Sequence, residues 1–169
     1  MSDFLCEPLG PTHSKEDFDC GDAALNAWLQ KRAGQDLRRH VAVVHVMVPK
    51  LEPTRIAGVF ALSATSLTID CLPSTVSHKL PKYSEVPAAL IGRLGRDVAF
   101  PGLGPTLLFA AFKRILLSSQ EMAVALVVVD AKNAVARRFY ERHGFECLSG
   151  SETRLFIPIQ SVAKTLGQD

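Results

Sequence analysis

The sequence predicts a single α/β domain built on a mixed central sheet flanked by helices. Three observations carry that expectation. A β-branched run, Val41 to Val48 (VAVVHVMV), faces a second apolar run, Arg55 to Ile69, across the loop Pro49 to Thr54, the pattern of an antiparallel hairpin. Ala123 to Val129 (AVALVVV) is apolar on both faces, as in a strand covered from each side. Around these, apolar residues recur at helical spacing in three stretches, so helices alternate with strands.

In chain order, Phe4 to Leu9 reads as a first strand, stopped by the turn-rich Gly10 to Ser14. Asp22 can cap a helix whose buried stripe is Leu25, Trp28, Leu29 and Ala33. After the hairpin, Cys71 to Pro87 contains three prolines and mixed charge, and reads as a surface crossing with one helical turn. Ala88 to Phe100 then reads as a strand, Pro101 to Pro105 as a turn, and Thr106 to Ser119 as a helix buried through Leu107, Leu108, Ala111, Phe112 and Ile115. Pro105 suits the first helical position, where an amide would lack an intrahelical partner. A helix over Asn133 to His143 is closed by Gly144. Phe145 to Ile159 reads as a terminal hairpin, and the tail from Gln160 as polar chain.

Composition bounds the function. With 47% hydrophobic and 21% charged residues among 169, and a mean hydropathy of +0.15, the chain can bury a core and should fold alone. Nineteen basic against 17 acidic side chains give a formal charge of +2, too mild for histone-like binding, so any polyanion contact must be local. Four cysteines lack a C-x-x-C pair and five histidines lack ligand spacing, which argues against a metal centre. No serine sits in a G-x-S-x-G elbow. No apolar run reaches the roughly 20 residues that cross a bilayer, and no secretion signal is evident, so a cytoplasmic location is expected.

The informative unit is a strand ending near Phe100, a glycine turn and a helix start, where unpaired amides and the helix dipole favour a phosphate. A G-x-G turn such as Gly102-Leu103-Gly104 is weak evidence alone. Just after the next strand, however, comes Asp130-Ala131-Lys132-Asn133-Ala134, followed by Phe139-Tyr140 and Gly144-Phe145. With Arg93-Leu94-Gly95-Arg96-Asp97 and the opening Phe18 to Ala33 (F-D-C-G…L-N-A-W-L-Q-K-R-A), the chain resembles the GNAT acetyltransferases, most of all the GNAT toxins of bacterial toxin–antitoxin pairs. The resemblance spans nearly its whole length.

That resemblance implies a V-shaped splay between neighbouring parallel strands that receives acetyl-CoA. The backbone of Leu94, Gly95 and Arg96 would hold the pantetheine and thioester, the amides from Gly102 to Thr106 (Gly102, Leu103, Gly104, Thr106) the pyrophosphate, and Asn133 the cofactor arm. Tyr140 would protonate the leaving thiolate, a general-acid step. Three departures stand out. Ala99 replaces the family's Gln or Arg before the turn, and Pro101 and Pro105 have no N–H to offer. Arg96 also stands where these toxins carry an apolar residue.

The toxin resemblance further implies acetyl transfer to the α-amine of aminoacyl-tRNA, a block of translation, a ribbon-helix-helix antitoxin as partner, and room for a homodimer. Two clusters could meet tRNA: Lys31, Arg32, Arg38 and Arg39 against Asp36, and Arg137, Arg138 and Arg142 beside Glu141. Either is also what a solvated helix face looks like. A small amine, a protein lysine, or a fold that only binds CoA or a partner are the alternatives.

Overall fold

The computed structural model describes residues 3–167. Seven strands form a mixed sheet in the hydrogen-bonded order β1-β2-β3-β4-β5-β7-β6, with helices between them. The strands are β1 (Phe4–Pro8), β2 (Val43–Pro49), β3 (Gly58–Thr68), β4 (Glu85–Arg96), β5 (Leu126–Asp130), β6 (Glu146–Cys147) and β7 (Arg154–Pro158). The helices are α1 (Ala23–Lys31), α2 (Ala33–Arg38), α3 (Ser74–Ser77), α4 (Gly104–Ser118), α5 (Ala134–Arg142) and α6 (Ile159–Thr165).

By its contacts the chain divides into two compact units. The first runs to Ser63 and adds Gly92–Ala111. In it β1, β2 and β3 form an antiparallel meander, β2 pairing Val43 with Leu62 and Met47 with Gly58. Val44, Val46 and Val48 point to one side of β2 and pack in one cluster with Leu25, Trp28, Leu29 and Ala33, the stripe expected from spacing. Asp22 caps α1, its carboxylate accepting from the Ala24 amide at 3.0 Å. The expected single helix is two, broken at Arg32.

The second unit takes Ala64–Ile91 and the chain from Phe112 onward. Its core joins Leu67, Val86, Ala88, Leu126, Val128 and Phe156. β5 is buried through four consecutive residues, as its two-faced apolarity required. β4 and β5 run parallel from Ala88 opposite Leu126 to Ile91 opposite Val129, where the ladder ends, while β4 itself continues to Arg96. β7 pairs antiparallel with both β5 and β6.

Three expectations are corrected. β4 starts at Glu85, inside the stretch read as surface crossing, because Val86 and Ala88 alternate inward. It ends at Arg96 instead of Phe100, because Asp97 turns the chain. The tail from Gln160, expected as polar chain, carries a helix as far as Thr165: α6 is held by Val162, which is fully buried. One inward residue is too little to show as a period.

Candidate active site

The first unit supplies the end of β4 and the turn into α4. Gly95 sits where a Cβ would stand 2.5 Å from Leu25 Cδ2 and 3.5 Å from Cys20 Cβ, so α1 packs onto its bare backbone. Next to it, the Arg96 guanidinium bends back and donates to the Asp97 carbonyl at 3.3 Å. Asp97 is only 4% exposed. Its Oδ2 accepts from the Asp19 amide at 3.0 Å and its Oδ1 from the Ala99 amide at 2.8 Å, while its own amide donates to the Ala57 carbonyl at 2.8 Å. A buried carboxylate needs such donors, and these bend the chain out of the strand.

The same tie fixes the Phe18–Gly21 segment. Asp19 Oδ1 accepts from the Gly21 amide at 2.9 Å and from Asn26 Nδ2 at 3.0 Å, which together hold its carboxyl below the usual value. Asn26 Oδ1 in turn accepts from the Cys20 amide at 3.0 Å. In the sequence this segment carries a resemblance and no visible network. Asp97, Asp19 and Asn26 were not singled out as a network, since Asp97 and Asp19 are 78 positions apart.

Beyond the turn, Gly102 takes φ +83°, a conformation that suits glycine. The Leu107 amide donates to the Leu103 carbonyl at 3.0 Å and opens α4. Helix geometry then leaves the amides of Leu103, Gly104 and Thr106 without an intrahelical carbonyl; Pro105 has none to offer. α4 begins at Gly104, so Pro105 lies inside the first turn, where it is tolerated. A cavity of about 430 Å³ opens here, lined among others by Phe4, Phe100, Gly102, Leu103 and Thr106.

The second unit supplies Asn133 and Tyr140. Asn133 caps α5, its Oδ1 accepting from the Ala136 amide at 2.8 Å. Gly144, at φ +94°, ends the helix as expected. Tyr140 is buried, 8% exposed, with its ring 5.3 Å from both Phe139 and Phe145. Burial, and then the charge of Asp130, push its hydroxyl up to about 12. A phenol so placed is protonated throughout the neutral range and has a proton to give, the state a general acid requires. Asp130 is itself held by Arg154 Nε at 3.2 Å.

The predicted residues thus fall into two groups. Leu94, Gly95, Arg96, Gly102, Leu103, Gly104 and Thr106 belong to the first unit, Asn133 and Tyr140 to the second. Among the described residues no cluster of His, Cys, Asp and Glu could hold a metal ion.

No protein-family model matches the chain. Its sequence is 28% identical over 173 residues to a probable toxin TacT of Sinorhizobium fredii, covering 96% of this chain and 95% of that one. It is 27% identical over 152 residues to a tRNA-acetylating toxin of Mycobacterium tuberculosis, covering 89% of each. Among solved structures, AtaT complexed with acetyl-methionyl-tRNAfMet superposes with a TM-score of 0.89 at 26% identity, over 97% of this chain and 99% of that one. AtaTR bound with acetyl-CoA gives 0.84 at 26% identity, over 98% and 99%. Over nearly its whole length, in sequence and in fold, the chain is therefore similar to toxins of the GNAT acetyltransferase type, the resemblance its motifs carried.

Proposed function

We propose that the chain is an acetyl-CoA-dependent N-acetyltransferase that acetylates the α-amine of aminoacyl-tRNA and so blocks translation. The observation that carries this is the end-to-end likeness to AtaT holding acetyl-methionyl-tRNA, together with the likeness to a tRNA-acetylating toxin. The local structure supports it from two sides. β4 outruns its parallel neighbour after Ile91, so the carbonyls and amides of Leu94, Gly95 and Arg96 are the backbone groups to receive the pantetheine and thioester. The amides of Gly102, Leu103, Gly104 and Thr106 are those to receive the pyrophosphate, with Asn133 on the cofactor arm.

In the reaction the free amine attacks the thioester carbonyl, a C–N bond forms and the C–S bond breaks. The leaving thiolate takes the proton of the Tyr140 hydroxyl, and the proton released by the amine restores the phenol through solvent. A positioned acid of this kind contributes about 10²–10⁴-fold. An antitoxin of the ribbon-helix-helix kind, a homodimer, a single domain and a cytoplasmic site of action are the remaining parts of the reading.

Toxicity on induced expression, compared between wild type and Tyr140→Phe and followed by mass analysis of tRNA, tests the proposal. Growth arrest with acetylated aminoacyl-tRNA in wild type alone is expected. An acetylated small amine or peptide with unmodified tRNA would overturn it.

A further inference from the structure

β5 buries Leu126 through Val129 and then presents Asp130, whose side chain is 57% exposed. Asp130 is the first residue past the last rung of the parallel ladder, Ile91 opposite Val129, so it pairs with no residue of β4. Alternation along the strand puts it on the face of Leu126 and Val128, which pack with Leu67, Val86 and Phe156. The other face carries Val127 and its cross-strand partner Ile157. There the end of α5 comes down: a Cβ on Gly144 would stand 3.3 Å from Ile157 Cδ1. The helix that carries Tyr140 thus ends on the face opposite to Asp130, yet the charge of Asp130 acts on the Tyr140 hydroxyl.

The carboxylate is only partly engaged. Arg154, directly across on β7, brings its Nε to 3.2 Å from Oδ1 but donates no hydrogen bond from that atom. Oδ2 accepts no hydrogen bond among the described residues. A half-exposed pair of this kind adds little to stability. An anion beside the phenol also opposes loss of its proton, so Asp130 by itself hinders the acid step. A cation seated on Asp130 removes that opposition. The acceptor brings one, because its α-amine arrives in part as an ammonium, whose N–H groups a carboxylate accepts. Glu141, the acid on α5 itself, is already taken by Arg137 Nε at 2.7 Å.

Resting on the aminoacyl-tRNA reading above, we infer that Asp130 receives the α-amine of the acceptor, its free carboxylate oxygen accepting a hydrogen bond from the amine on the face of β5 opposite to the end of α5. The ammonium gives up its proton to solvent, and the transfer of acetyl to the free amine is then as described above.

The test compares acetyl transfer to charged tRNA by wild type and Asp130→Asn. Binding of the charged tRNA and of its deaminated, hydroxyacyl form is measured beside it, without acetyl-CoA. Asp130→Asn should lower kcat/KM for charged tRNA by about 10–100-fold, the worth of one hydrogen bond to a charged group, and leave KM for acetyl-CoA unchanged. Wild type should bind the amine form about tenfold tighter than the hydroxyl form, and the variant should bind both alike. Unchanged thermal unfolding excludes misfolding of the variant, and the discrimination by wild type does not depend on the variant at all. Wild-type kcat/KM in Asp130→Asn, a raised KM for acetyl-CoA in its place, or equal binding of the two forms by wild type would overturn this inference alone. Wild type that acetylates no charged tRNA would overturn the acceptor reading and this inference with it.

Discussion

The backbone amide of Asp19 donates to the buried carboxylate of Asp97 at 3.0 Å, joining the loop before α1 to the residue that ends β4. The other oxygen of the same carboxylate holds the Ala99 amide. The path of the chain from β4 into the glycine turn therefore depends on one acid.

Asp97→Ala should leave two amides unsatisfied and cost about 3–6 kcal/mol, each lost charge-assisted bond being worth about 1.5–3. Asp97→Asn keeps one acceptor and should cost less. Urea unfolding measures both. Equal, negligible losses would show that the turn forms without the carboxylate.

Gly95→Ala would drive a methyl into Leu25, and overpacking of this kind costs about 1–3 kcal/mol. Leu25→Ala alone should cost about 2–5 kcal/mol through the cavity it leaves. In the double variant the new methyl enters that space, so the loss should fall short of the sum by about 1 kcal/mol. Strict additivity in a thermodynamic cycle would contradict the contact.

Asn133 has two roles to separate. Asn133→Ala should lose about 1 kcal/mol of stability with the cap, while Asn133→Asp, an equally good cap, should be near neutral. If Asn133 meets the cofactor arm, the added negative charge of Asp must still weaken acetyl-CoA binding. Calorimetry showing unaltered affinity in Asn133→Asp would leave Asn133 a cap only.

Tyr140 makes stability depend on alkaline pH. Its folded pKa, about 12, lies above the ordinary 10.0, so the unfolded chain loses its proton first as pH rises. The contribution is fully present below pH 10 and is lost between pH 10 and about 12, at roughly 1.4 kcal/mol per pH unit. Denaturation of wild type should steepen across that window, and Tyr140→Phe should lack this component. Identical profiles would mean that the phenol is not held protonated.

What was legible in the sequence was whatever local pattern determines. The β2–β3 hairpin follows from two β-branched runs around one loop, and α5 from a cap, a period and a closing glycine. The end of β4 was not legible, because Asp97 acts on a partner 78 positions away. α6 was missed because Val162 alone faces inward. The proposed site was readable only as residue types, the glycines at 102 and 104, of which Gly102 takes φ +83°, and the phenol of Tyr140, which is buried. The reason Gly95 must be glycine was not readable, because Leu25 comes from α1, far away in sequence.

The most direct measurement is transfer of labelled acetyl from acetyl-CoA to charged tRNA by wild type and Tyr140→Phe, each checked for native unfolding behaviour. The account predicts N-acetylated aminoacyl-tRNA with wild type and a kcat lower by about 10²–10⁴-fold in the variant. Equal rates in the two, or no transfer by wild type, would contradict it.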